Sequence, residues 1–238
     1  MNIQKWLEEH LELLLFADNQ KDFFEHLATT ASVLGFDYCA FGLRAPYPVM
    51  NPKTIWLSNY SSDWQIRYVK NNYFAVDPVV QHGSRSTFPL IWSSSLLGSA
   101  PDFWEDAKEF GIDHGWSQSY CNADGFLGML TLARSGEALQ ANELADKQML
   151  FSWLTQLAHQ GLYKLAAQDF AIASENPLTQ REVEVLRWSA EGKSAHEIAT
   201  QMGITERTVN FHINNVLQKT GTHNKTAAVV KAVLLRWI

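Results

Sequence analysis

The chain has 238 residues, 46% apolar and 18% charged, a balance that suits a folded globular protein and excludes a disordered one. No apolar run approaches the roughly 20 residues needed to span a bilayer, and no basic stretch precedes an apolar core at the N-terminus as in a signal peptide. The net charge of −6 argues at first against nucleic acid, and only two cysteines occur, Cys39 and Cys121, expected to be reduced and structural in a cytoplasmic protein without clustered metal ligands.

Periodicity and turn residues predict helices over about 3–16 and 20–34, then strands near about 36–44 and 54–60. Helices follow at about 62–72, 76–84 and 101–110, the last ending at Gly111. Strands at about 115–121 and 126–134 join around Asp124-Gly125, a hairpin signal. A long helix is expected at about 141–167. This order gives an α+β fold, an N-terminal α/β/α sandwich with a central antiparallel sheet, over residues of about 1–167. Gln168 to Pro177 reads as a linker, and residues 178–238 form a second, all-α domain of four helices. No internal repeat is present.

The second domain carries the clearest signals. Thr179 with Glu182 and Ser194 with Glu197 are capping boxes, each opening a helix. Gly192 stops the first helix and Gly203 the second, and Thr205 caps a third. Val209, Ile213, Val216 and Leu217 make one apolar stripe on that third helix. Its other positions hold Arg207, Thr208, Asn210, Asn214, Asn215, Gln218 and Lys219. Two helices on a tight glycine turn, the second presenting amides and basic groups, form a helix-turn-helix. Asn and Gln match the adenine edge. Lys193, Arg207, Lys219 and Lys225 are placed for phosphates, and Ser194, Thr208 and Asn215 complete the face offered to DNA. The charge is uneven: eight Lys/Arg against six Asp/Glu from Ala171 on, and five against one from Glu206 on. So modest an excess implies weak binding by one copy and favours a dimer.

In the first domain, seven of the nine tryptophans precede residue 170. They read either as an aromatic core or as the walls of a ligand pocket. Tyr60, Trp64 and Tyr68 are four apart, and Asp77-Pro78 follows among apolar residues. Asp77 is either an N-cap for the helix at Pro78 or a carboxylate facing a ligand. On the strand near 36–44, Ala40, Gly42 and Arg44 share a face by alternation, as do Met129 and Thr131 on the hairpin. Arg44 reads equally as a polar group for a ligand oxygen or as a strand-end side chain reaching solvent.

The C-terminal segment resembles the LuxR family. The matching residues are Leu178-Thr179, Arg181-Glu182, Leu186-Arg187-Trp188, Glu191-Gly192-Lys193-Ser194, Glu197-Ile198-Ala199, Ile204, Glu206 to His212, Asn215 and Asn224-Lys225. Asn59-Tyr60, Trp64, Tyr68, Asp77-Pro78, Pro89, Trp92 and Gly115 resemble the autoinducer-binding half of the same family, with flanking words that look closest to its QscR-like subgroup. The resemblance implies a quorum-sensing transcriptional regulator, more often an activator, binding an N-acyl-homoserine lactone of medium or long chain and no cofactor. It implies that Trp64 donates to the lactone carbonyl, Asp77 accepts the amide N–H, and Tyr60 and Thr131 hold the amide carbonyl. Tyr68 and Trp92 would wall the head group. Ala40, Gly42, Arg44, Val79, Val80, Phe103 and Met129 would line the acyl chain. It further implies a homodimer formed along the 141–167 helix, a pseudo-palindromic double-stranded operator of roughly 20 bp, and RNA polymerase as a partner. Asn210 and Asn214 would reach base edges. Thr131 replaces a serine common in relatives, and Asn210 and Asn214 replace basic groups found in some, so DNA preference does not transfer.

Three rivals remain. A phosphorylated receiver needs parallel strands ending in acidic residues, which the hairpin opposes. A lactone-degrading enzyme needs a nucleophile elbow or metal cluster, and neither motif is present. A sensor of another amide or ketone, or a ligand-independent regulator, stays open.

Overall fold

The computed structural model describes residues 10–92, 96, 98–166, 170 and 176–238. Residues 10–15 are helical; the rest of the helix predicted at 3–16 lies mainly outside the described residues, as does most of the linker. The described helices and strands are α1 (Gln20–Val33), β1 (Tyr38–Arg44), β2 (Thr54–Ser58), α2 (Ser62–Lys70), α3 (Pro78–Gly83), β3 (Leu90–Ile91), α4 (Pro101–Glu109), β4 (His114–Cys121), β5 (Leu127–Arg134), α5 (Ala141–Ala166), α6 (Gln180–Ala190), α7 (Ala195–Met202), α8 (Glu206–Thr220) and α9 (Lys225–Leu234). They fall into two compact units. One holds the sheet and its helices; the other holds α6 to α9 together with the loops Ala45–Lys53 and Asn122–Gly125.

The sheet is antiparallel throughout, in the order β2-β1-β5-β4-β3. β3 is an addition to the predicted strands. Its two residues pair Leu90 with Ser117 and Ile91 with Trp116, too short a stretch to show alternation. The strand expected to reach residue 60 stops at Ser58, because Asn59 folds back. Its Oδ1 accepts from the Cys39 N–H at 2.7 Å and its Nδ2 donates to the Asp37 carbonyl at 3.0 Å.

Helix starts follow the capping rules. Asn19 accepts from the Lys21 and Asp22 amides, and Ser61 from the Trp64 amide. The helix expected from about residue 76 begins at Pro78, with Asp77 as N-cap and the ring fixing the first turn. A single 3-10 turn, Tyr73–Ala75, precedes it. Gly125 takes φ +79° in the hairpin loop.

Alternation divides the sheet into two faces. Cys39, Phe41, Leu43, Trp116, Leu130 and Leu132 are all fully buried, with Phe23 and Leu27 of α1 and Phe151, Leu154 and Ala158 of α5 also in the core. Gly128 allows this packing: a Cβ there would stand 2.6 Å from His159 Cδ2 and 2.9 Å from Phe41 Cζ. His159 bonds the Phe126 carbonyl at 3.0 Å, and burial holds its pKa below the usual value. The opposite face, toward α2, α3 and α4, encloses a cavity. Cys39 is buried as expected, whereas Cys121 is exposed where β4 ends, so it fills no core position.

In the helical unit both capping boxes form as predicted. Gly203 and Gly221 close α7 and α8 in the left-handed conformation. Glu182 does more than cap. Its side chain is only 3% exposed, and Lys219 donates to it at 2.7 Å, tying α8 to α6. Burial raises the Glu182 pKa, but that ammonium and the Thr179 amide outweigh it and hold the carboxyl below its ordinary range.

Candidate functional site

The cavity has a volume of about 160 Å³. Strand register builds its floor in rows. Ser117, Thr131 and Ala40 are successive cross-strand partners, and so are Ser119, Met129, Gly42 and Trp56. Leu127, Arg44 and Thr54 form a third row. Trp64 and Tyr68 of α2, Val79 and Val80 of α3, and Phe103 of α4 supply walls. Trp64 and Tyr68 meet edge to face at 5.7 Å, and Trp64, Tyr68 and Tyr73 each lie within 6.2 Å of Phe103.

Asp77 is the buried charged group at this site. Its Oδ1 accepts from the Val79 and Val80 amides at 2.8 and 3.4 Å, and its Oδ2 accepts from the Tyr68 hydroxyl at 2.9 Å. Burial raises its pKa to about 6, against the opposing pull of those three donors. The two readings of Asp77 are therefore compatible: it caps α3 and also lines the cavity. Burial also pushes the Tyr60 and Tyr68 hydroxyls well above the ordinary tyrosine range, so both stay neutral donors. Trp92 Nε1 donates to Ser117 Oγ at 3.2 Å, and Ser117 donates to Thr131 at 3.3 Å. Gly115 makes room for that indole, since a Cβ there would lie 2.7 Å from it.

All thirteen residues named for the pocket from the sequence line this one cavity: Ala40, Gly42, Arg44, Tyr60, Trp64, Tyr68, Asp77, Val79, Val80, Trp92, Phe103, Met129 and Thr131. Arg44 is exposed, at the strand end farthest from the Thr131 row. Sequence reasoning missed Ser119, Trp56, Phe74, Ile112 and Leu127 among the lining residues, and Ser117 beside Trp92. Counting back from Met129 and Thr131 across the hairpin would have found both serines, because each β4 partner shares their face.

On α8, Arg207, Asn210, Phe211, Asn214 and Gln218 are all exposed and recur at helical spacing, so they share one outward stripe. Phe211, 60% exposed, was not singled out by its apolar type. The other residues named for DNA divide. Thr208 bonds the Thr205 hydroxyl at 2.8 Å, and Ser194 is engaged by Glu197. Lys193 stands 3.9 Å from Glu197, Lys225 donates to the Lys193 carbonyl at 3.4 Å, and Asn215 is half-buried. Lys219 is the one basic group paired with a buried carboxylate.

Residues 19–162 match a family described as an autoinducer binding domain, and residues 176–232 match one described as bacterial regulatory proteins of the luxR family. The transcriptional activator protein AnoR of Acinetobacter nosocomialis is 44% identical over 98% of this chain and 99% of its own length. Escherichia coli SdiA in complex with octanoyl-rac-glycerol superposes with a TM-score of 0.79 at 29% identity, covering 99% of this chain and 96% of that one. CepR2 of Burkholderia cenocepacia, described as an N-acylhomoserine lactone dependent LuxR family transcription factor, gives a TM-score of 0.62 at 31% identity, over 69% of this chain and 96% of that one.

Proposed function

From the premise that the chain belongs to the LuxR family of quorum-sensing transcriptional regulators, we propose that its cavity takes an N-acyl-homoserine lactone and that α8 reads operator DNA. The observation that carries the ligand reading is the polar end of the cavity. There a buried carboxylate, two tyrosines and a tryptophan converge on an otherwise apolar space. Asp77 accepts the ligand amide N–H, Trp64 donates to the lactone carbonyl, and Tyr60 and Thr131 hold the amide carbonyl. Tyr68 and Trp92 flank the head group, and the acyl chain runs over Gly42 and Met129 toward Arg44. A ligand bound only by the folded chain stabilises it by mass action.

Two copies pair along α5, whose outer side carries Leu144, Met149 and Trp153 at a shallow groove, with Met149 84% exposed. The dimer sets two α8 helices on half-sites about one DNA turn apart. Asn210 and Asn214 meet base edges, Phe211 offers a ring for a thymine methyl, and Arg207 with Lys193 and Lys225 meets phosphates. The protein acts in the cytoplasm as an activator that contacts RNA polymerase. None of the described helices is long and apolar enough to cross a membrane.

The test is the melting temperature of the full-length chain against acyl-homoserine lactones of varied tail and 3-substituent. A rise of several degrees, selective for one tail, supports the reading. No shift with any lactone overturns it. A rise with a monoacylglycerol alone would favour a second reading, a fatty-acyl sensor without lactone selectivity, suggested by the ligand held by SdiA.

A further inference from the structure

Ser119 stands in the middle row of the cavity floor, two residues along β4 from Ser117. Its side chain is 2% exposed, and its Oγ has no hydrogen-bond partner among the described residues. Ser117 is different, since it accepts from Trp92 and donates to Thr131. Its cross-strand row is apolar: Met129 beside it, then Gly42 and Trp56 across the sheet. Gly83 of α3 closes over it so tightly that a Cβ there would come within 2.7 Å of Ser119 Oγ. A hydroxyl buried without a partner costs free energy, and the cavity is the open side from which one can come.

We propose that Ser119 reads an oxygen on the acyl chain near the amide, the 3-hydroxy or 3-oxo substituent of an acyl-homoserine lactone; this rests on the lactone reading above. Register decides between Ser119 and Arg44. With the amide carbonyl at Thr131, the C3 carbon is two bonds from the carbonyl carbon, about 2.5 Å. The row of Ser119 and Met129 lies about 7 Å along the strands, and the row of Arg44 and Leu127 about 14 Å. An oxygen on C3 falls between Thr131 and Ser119, and only later chain atoms reach Arg44. The serine hydroxyl accepts from a 3-hydroxyl or donates to a 3-oxo group. An unsubstituted chain leaves it unpaired, the situation in which a polar site discriminates most strongly.

The experiment is a tryptophan-fluorescence titration of the full-length chain with lactones of one tail length bearing hydrogen, hydroxyl or oxo at C3. The wild type should bind one oxygenated form roughly three- to tenfold more tightly than the unsubstituted one. Ser119→Ala should bring that ratio to near one, and Arg44→Met should leave it intact. Ser119→Cys, with a weaker donor of similar size, should give an intermediate ratio. A wild-type ratio near one, a ratio that survives Ser119→Ala or Ser119→Cys undiminished, or one abolished by Arg44→Met would each overturn the inference. No binding of any lactone would instead overturn the lactone reading on which it rests.

Discussion

Tyr68 and Asp77, nine residues apart on separate helices, meet through a hydrogen bond of 2.9 Å. The bond takes one of the two lone pairs on the carboxylate oxygen that the α3 amides leave open, so Asp77 is held in a single orientation from both sides and keeps an acceptor site. An asparagine keeps helix-capping ability and loses the charge. Asp77→Asn should therefore fold with little change in melting temperature and respond to every lactone at roughly tenfold or higher concentration, since hydrogen bonds to a charged group contribute about 1.5–3 kcal/mol. A dose response equal to wild type would remove Asp77 from the ligand's partners.

The raised pKa of Asp77 gives a pH dependence of known sign. Between its ordinary value of 3.8 and about 6, the folded chain binds more protons at this site than the unfolded one. The unliganded protein should thus gain stability from Asp77 as pH falls through that window and lose it as pH rises. Ligand affinity should move the other way, weakening below pH about 6 as the acceptor for the amide N–H is protonated. Titrations from pH 5 to 7 on wild type and Asp77→Asn test both, and the variant should show neither slope.

Lys219 separates two roles. If its main work is to pair with buried Glu182, Lys219→Met should destabilise the helical unit by about 1–3 kcal/mol, the cost of removing a charge-assisted bond from a carboxylate that keeps its Thr179 donor. A phosphate-contacting lysine would leave stability unchanged and lower the salt slope of DNA binding by about one. The structure favours the first outcome, and thermal melts beside salt-dependent DNA titrations decide it.

Asn210→Ala should weaken binding to a selected operator by about 1–3 kcal/mol, with much less effect on random DNA. Equal loss on both would make Asn210 a backbone contact.

Gly128→Ala should lower the melting temperature without altering which lactone is preferred. The added methyl meets His159 and Phe41 on the face away from the cavity, and overpacking of this kind costs about 1–3 kcal/mol.

Local rules were legible in the sequence. The capping residues Thr179, Ser194 and Thr205 and the alternation on β1 and β5 need only near neighbours to be seen, and the helices and strands they mark stand close to where they were expected. What required a distant partner was not legible. Lys219 looked like one more basic group on α8 because Glu182 is 37 positions away and buried only once α6 and α8 pack. β3 has two residues and exists because β4 offers it an edge. Ser119 became conspicuous only when register placed it beside Met129 with no partner among the described residues, a property that residue type does not carry.

The alternation of β1 also bears on how such receptors diverge. Cys39, Phe41 and Leu43 are packed in the core, while Ala40, Gly42 and Arg44, interleaved with them, line the cavity. A substitution at position 40, 42 or 44 changes the shape of that space, and the core side chains at 39, 41 and 43 are left in place. The contour of the cavity can therefore be altered one residue at a time along a single strand without exchanging a core side chain.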